Sequence, residues 1–448
     1  MKFQNRKKEL NELEEILDRD KFQLVIIYGR RRVGKTELIL QATKNKKRLY
    51  YLAVGENNLE RFYKASLSNL PEISKLKEDY EILFDHLKNK VEVIILDEFQ
   101  EMIKEDANIL NLLQSIADNI LKSSSLKLFL VGSSVSIITS KVLDYASPLY
   151  GRRSASLKLK PLDFFDFAQF FPGQNLKEQI EIYSFADGIP YYLNMIELPF
   201  WNWIANEFQK KSTIFLDEID FLMRYEFTRP GTYKSILEAI AFGNNTLNEI
   251  KMYIKSKRTD ISPYLKNLIE VDMITREVPI TENVNSRRGR YFLKDHFLQF
   301  WFRFIYPNLS SIEEGVFEIE LIQKQYPAYL GPIFEDIIKN LLIRASDLLE
   351  FTKIGRWWWK DHEIDLLALN QLNKVVTFIE CKWQKNVNAK RIMKNLIKKT
   401  EHVDWYSKER QENFMIFARS FYQTLTEYKG KNVKCYDLDD IERITKKR

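Results

Sequence analysis

Residues 24–27 (LVII) form a continuous apolar run, the pattern of a strand covered on both faces. A turn flanked by two glycines follows, and then Leu38, Ile39 and Ala42 recur at helical spacing. The strand signal returns at residues 48–54, 91–97 and 126–131, with helix-prone polar sequence from about residue 55 to residue 90. Ahead of the first run, Leu10, Leu13, Ile16 and Leu17 lie on one side of an expected helix. Residues 161–228 carry helical patterns dense in aromatic side chains, such as FFDFAQFF and PFWNWIANEF. Asp163, Asp166, Asn202 and Glu207 interrupt their apolar faces, so packing between helices fits better than a membrane.

The second half repeats the alternation in two further groups. In residues 233–281 one helix ends at Gly243, a second opens on the capping-box pair Thr246 and Glu249, and a third follows Asp260. With a strand at 273–278 and the turn Arg287-Arg288-Gly289-Arg290, this reads as a winged helix. Lys251, Lys255, Lys257, Arg258 and Lys266 give it positive character suited to phosphate; the alternative is a module that packs structurally on its neighbours. Residues 291–304 (YFLKDHFLQFWFRF) read as a core or inter-domain seam, with His296 structural. A helix at 329–345, strands at 351–360, 363–369 and 375–383, a basic helix at 389–400, and strands near 414–418 and 433–436 complete the chain.

Length turns these groups into domains: 448 residues exceed one ordinary core. The expected units are 1–160, 161–230, 231–310 and 320–448. At 45% hydrophobic and 29% charged, with the charges interspersed, the composition is that of a globular chain. A net charge of +7 permits a nucleic-acid partner without requiring one. Cys381 and Cys435 are too few for a disulfide framework and fit a reducing cytoplasm. No Cys/His cluster suggests zinc, the charged N-terminal helix is not a signal peptide, and no apolar run reaches membrane-span length.

The turn at residues 29–36 carries the first chemistry. Gly29, Arg30, Arg31, Arg32, Val33, Gly34, Lys35 and Thr36 fit G-x-x-x-x-G-K-[ST] between a strand and a helix. Backbone N–H groups of such a loop and the helix N-terminus point at phosphate oxygens. Lys35 would reach the β- and γ-phosphates of ATP, and Thr36 would hold Mg²⁺. The run ending in Asp97 and Glu98 supplies two acids at a strand end, Asp97 for the Mg²⁺ shell and Glu98 to orient the attacking water. The run ending in Ser133 and Ser134 offers a γ-phosphate sensor, Ser133 first and Ser134 as the alternative. Arg152 and Arg153 on the following loop suit an arginine finger, which implies a homo-oligomer or a closing domain.

These motifs (GRRRVGKT, IILDEFQ, LVGSS, SPLYGRR and GIPYYL at residues 188–193) resemble the archaeal-type AAA+-related ATPases, near the signal-transducing P-loop branch. Phe3, Asn5 and Arg6 with Glu9 and Leu10 resemble the box that borders adenine in that family. The resemblance covers about the first 230 residues and implies ATP, Mg²⁺, a parallel sheet flanked by helices, and a helical lid opened by the last motif. Asp187-Gly188 stands where many relatives have paired glycines.

A second constellation lies in residues 320–448. Its αβββαβ order, with Asp365 followed by Glu380-Cys381-Lys382, resembles the PD-(D/E)XK nuclease superfamily, though Ile364 replaces the motif's proline. Alternation points Glu380 and Lys382 to one face and Cys381 into the core. Asp365, Glu380 and Glu335 would hold Mg²⁺ or Mn²⁺, and Lys382 would orient a water or stabilise developing charge. Lys394, Lys398 and Lys399 could meet a nucleic-acid backbone, while alternate members of Trp357-Trp358-Trp359 pack in the core or stack on bases.

Together the expectation is a multidomain α/β protein: a P-loop ATPase with helical lid, a winged helix and a nuclease-like domain, with ATP controlling DNA binding or cleavage. The alternatives are a nucleotide-dependent signalling or scaffold switch with an unused nuclease fold, and a winged-helix transcription regulator.

Overall fold

The computed structural model describes residues 5–255 and 260–446. Phe3, Lys257 and Arg258 lie outside the described residues. The chain divides into two compact units. The first comprises Met1–Leu162, Ile189–Met195 and Arg224–Thr228; the second comprises Asp163–Gly188, Ile196–Met223 and Arg229–Arg448.

The first unit is built on five parallel strands: β1 (Gln23–Tyr28), β2 (Arg48–Leu52), β3 (Val93–Asp97), β4 (Lys127–Gly132) and β5 (Ala155–Lys158). Their order is β2-β3-β4-β1-β5. The continuous apolar strands β1, β3 and β4 occupy the interior of the sheet, as runs covered on both faces should. Alternate residues serve opposite layers: Leu24 and Ile26 join one apolar cluster, Val25 and Ile27 the other. Parallel register sets Tyr28 beside Gly132 and Leu96 beside Leu130, so the ends of β1, β3 and β4 emerge along one rim. β5 is absent from the sequence expectation. Its four residues, ASLK, are only partly covered at a sheet edge and give a weak apolar signal.

In the second unit the aromatic runs pack on one another. Phe185 meets Trp203, Phe215, Phe297 and Phe300 edge to face, and the Trp301 Nε1–H donates to the Phe215 carbonyl at 2.9 Å. Helices Pro230–Ala241, Leu247–Tyr253 and Ser262–Glu270 follow, with the Thr246–Glu249 capping box formed. An antiparallel pair succeeds them, β6 (Ile274–Glu277) and β7 (Arg290–Leu293). Two arginines of the expected wing turn have partners within the unit: Arg288 pairs with Glu282 at 2.6 Å and Arg290 with Glu363 at 3.3 Å.

Further on, the long helix Glu320–Arg344 starts earlier than its apolar spacing suggests and runs through Pro327 and Pro332. Ile322, Tyr326, Tyr329 and Leu330 are buried along it, so packing outweighs the helix-breaking tendency of proline. A sheet-rich domain closes the chain with β8 (Lys353–Trp359), β9 (His362–Asn370), β10 (Val375–Lys382), β11 (Val387–Asn388), β12 (Gln411–Ala418), β13 (Phe421–Gln423), β14 (Glu427–Tyr428) and β15 (Lys431–Tyr436). The main sheet runs β14-β15-β12-β10-β9-β8. β8, β9 and β10 form an antiparallel meander, and helix Ala389–Thr400 then connects β10 to the parallel β12. Among the described residues no helix is long and apolar enough to cross a membrane.

Candidate functional site

The rim of the first sheet gathers the predicted nucleotide residues. Gly29 follows β1 at φ 152°, and a Cβ there would come within 2.2 Å of the Leu159 carbonyl oxygen, so only glycine fits. Gly34 turns the loop into helix Lys35–Ala42 at φ 89°. Arg6 Nη2 donates to the Val33 carbonyl at 3.1 Å and to the Lys160 carbonyl at 2.7 Å, tying the N-terminal segment to the loop. Arg32 lies over Tyr191 at 4.2 Å and Arg31 over Tyr225 at 5.2 Å, while Arg30 is buried. Lys35 Nζ donates to the carbonyls of Gly29 and Arg30, each at 3.0 Å. Burial pulls its pKa down to about 8, a fall that the nearby Glu98 and Asp97 charges limit.

Asp97 at the end of β3 collects two hydroxyls on Oδ2: Thr36 Oγ1 donates at 2.6 Å and Tyr50 OH at 2.9 Å. Glu98 follows at φ 51°, a left-handed backbone uncommon outside glycine. Its Oε2 accepts from Gln100 Nε2, from Ser133 Oγ and, at 3.1 Å, from Tyr225 OH. Ser133 therefore sits beside the glutamate. Ser134 instead caps the next short helix and meets Glu226 at 3.4 Å. Tyr50, Gln100, Tyr225 and Glu226 escaped the sequence reading. Gln100 had a signal, three positions beyond Asp97, whereas Tyr225 lies 127 residues from Glu98 with no motif around it. Arg152 is held by Asp118 at 2.9 Å and donates to the Pro148 carbonyl at 3.2 Å, and Arg153 lies over Tyr150 at 4.8 Å. Among the described contacts neither arginine joins Asp97 or Glu98.

The second constellation gathers in the C-terminal sheet. Antiparallel pairing runs up to Ile379 opposite Leu366, which sets Glu380 and Asp365 side by side. Lys382 Nζ bridges them, 2.8 Å from Asp365 Oδ2 and 2.5 Å from Glu380 Oε2. Lys399 from helix Ala389–Thr400 donates to Glu380 Oε1 at 2.6 Å, and the buried Cys381 gives its backbone N–H to Asp365 at 2.8 Å. Glu335 faces Arg356 at 3.2 Å, a buried guanidinium that also meets Asp336 at 2.9 Å and Glu277 at 3.4 Å. Burial, and then the charge of Asp365, push Glu335 up to about 8 and raise Glu380. Burial works against the Lys382 charge, but Glu380 and Asp365 outweigh it and raise its pKa. Among the described residues no three His, Cys, Asp or Glu side chains form a ready metal cluster; lysines and Arg356 occupy these oxygens.

Comparison with known proteins adds a family. Residues 3–196 match a family described as an ATPase domain predominantly from Archaea. Residues 301–393 match one described as Archaea bacterial proteins of unknown function. Uncharacterized protein MJECL04 of Methanocaldococcus jannaschii is 49% identical over 407 residues, 90% of this chain and 92% of its own length. Uncharacterized ATP-binding protein MJ0423 of the same organism is 56% identical over 45 residues, 10% of this chain and 76% of that protein. The Walker-type ATPase PABY2304 of Pyrococcus abyssi aligns with a TM-score of 0.52 at 22% identity, covering 67% of this chain and 96% of its own, a likeness of fold. The core is thus a parallel-sheet ATPase domain of the P-loop kind, and the chain belongs to the same family as MJECL04.

Proposed function

We propose that this ATPase is Mg²⁺-dependent and that its nucleotide state controls DNA binding or cleavage by the C-terminal domain. The observation that carries the nuclease reading is Lys382 held between Asp365 and Glu380 on paired strands, with Glu335 close enough to feel the Asp365 charge. We read residues 1–160 as the ATPase core, 161–230 as its helical lid, 231–310 as a winged helix with its aromatic connector, and 320–448 as the nuclease-like domain.

At the first site, Thr36 and Asp97 offer only oxygen donors, which suit Mg²⁺. When bound, the ion neutralises charge on the β- and γ-phosphate oxygens. Lys35 exchanges its loop carbonyls for phosphate oxygens, and Glu98 orients the attacking water and accepts its proton. Ser133 acts as the γ-phosphate sensor, since its hydroxyl already touches the glutamate. Arg152 or Arg153 serves a neighbouring copy as an arginine finger. At the second site, Glu335, Asp365 and Glu380 offer crowded carboxylates, and a divalent cation would relieve the raised protonation of Glu335 and Glu380. Such an ion supplies an activated water and charge neutralisation at a phosphodiester. Lys382 orients that water or stabilises the charge that develops.

The test is a cleavage assay with Mg²⁺ or Mn²⁺, with and without ATP, on wild type, Lys35→Ala and Asp365→Ala. Wild type should cut, Asp365→Ala should not, and Lys35→Ala should lose the ATP response. No cleavage under any of these conditions sinks the nuclease reading. The lysines already seated on Asp365 and Glu380 favour a second reading, a nucleotide-dependent switch with a disused nuclease fold. It requires ATP to alter oligomeric state in gel filtration while DNA stays intact.

A further inference from the structure

Three aromatic rings are gathered near the second constellation. His362 and His402 stack with centroids 4.2 Å apart at an interplanar angle of 16°. Trp359 lies nearly parallel to both, 5.2 Å from His402 and 6.4 Å from His362. Trp357 and Trp358 are buried, but Trp359 and His362 are only half-buried and His402 is exposed. The Lys360 ammonium lies 4.3 Å from the Trp359 centroid. The cluster closes the β8–β9 turn and the end of helix Ala389–Thr400.

That helix is strongly two-sided. Ala389, Met393, Leu396 and Thr400 are buried, whereas Lys390, Arg391, Lys394 and Lys398 are exposed and make no ion pair among the described residues. Lys390, Lys394 and Lys398 follow one another every four residues, about 6 Å apart along the axis. Like charges at this spacing destabilise an isolated helix, a repulsion that a polyanion laid along the stripe removes. Lys399 on the same helix donates to Glu380, and His362 precedes Asp365 by three residues, about 10 Å along β9. Strand β9 carries both a ring and Asp365, and helix Ala389–Thr400 carries both the cationic stripe and the lysine that reaches Glu380.

We propose that Trp359, His362 and His402, with Lys390, Lys394 and Lys398, form a binding surface for single-stranded nucleic acid. Bases stack on the rings and phosphates follow the lysines. A paired base has both faces covered by its neighbours in the duplex, so a stacking platform of this kind takes unpaired strand. The inference deepens the nuclease reading and rests on it by naming the strand type delivered to Asp365 and Glu380.

Binding is measured by fluorescence anisotropy on the full chain in EDTA, so that cleavage plays no part. The probes are labelled oligodeoxythymidine, labelled oligouridine and a duplex of the same length. One of the single strands should bind more tightly than the duplex, and which one it is separates DNA from RNA. His402→Ala, at an exposed position, should weaken the preferred strand about tenfold and leave the duplex unchanged, and His402→Phe should restore it. Lys394→Ala with Lys398→Ala should flatten the plot of log K against log salt by about 1.4. Equal affinity for duplex and single strand, or unchanged single-strand affinity in His402→Ala, overturns the proposal. Single-strand preference in a protein that never cuts leaves this surface standing and removes only the nuclease reading.

Discussion

Oε2 of Glu98 accepts three donors, from Gln100, Ser133 and Tyr225, so the oxygen that would take a proton from water is already committed. Hydrogen bonds to a charged group contribute about 1.5–3 kcal/mol, enough to hold a carboxylate in a resting orientation. Tyr225→Phe should therefore raise basal ATP turnover roughly tenfold, measured as phosphate release at saturating ATP. A fall in turnover would mean that the hydroxyl positions the glutamate for reaction. Glu98→Gln should abolish turnover while a fluorescent ATP analogue still binds. Arg356 is the corresponding node in the second unit, with Glu335, Asp336 and Glu277 around one buried guanidinium. Arg356→Met leaves those acids without their cation. It should cost about 3 kcal/mol of stability by denaturant titration, the low end for a broken buried pair because Asp336 is 44% exposed.

At the scale of elements, the candidate site residues stand where apolar strands stop. Asp97 closes β3, Gly29 and Ser133 follow β1 and β4, and Glu380 and Lys382 close β10. These residues were legible from the sequence because an apolar run gives both the strand and its end. Residues without a local frame were not. β5 lacks an apolar run, and Tyr225 reaches Glu98 only through tertiary structure. The apolar spacing places the start of helix Glu320–Arg344 at residue 329, past Pro327, because the buried residues that carry the helix through that proline are recognised only once packed. The basic turn at 287–290 was legible as charge but not as charge already partnered, since Glu363 lies 73 residues from Arg290. Gly29→Ala tests the tightest of the strand ends. With the Leu159 carbonyl where a methyl would go, the variant should lose about 2 kcal/mol of stability, and nucleotide affinity with it, by thermal melting with and without ATP.

For the whole molecule, two candidate chemistries are legible in the sequence, but how the chain is shared between units is not. If ATP governs the C-terminal site, Lys35→Ala should cut DNA at a rate indifferent to ATP, whereas Asp365→Ala should hydrolyse ATP normally while leaving DNA intact. Cleavage by wild type that ignores ATP would separate the two activities. The chain enters the first unit three times, in Met1–Leu162, Ile189–Met195 and Arg224–Thr228. The last visit is five residues long, yet it brings Tyr225 to Glu98 and Glu226 to Ser136, the latter at 2.8 Å. This threading restricts inheritance. A gene fragment ending after residue 162 would encode every motif of the phosphate loop and the acidic strand but leave out the tyrosine that touches its glutamate. Recombination can exchange this ATPase between proteins intact only if the stretch between the visits travels with it.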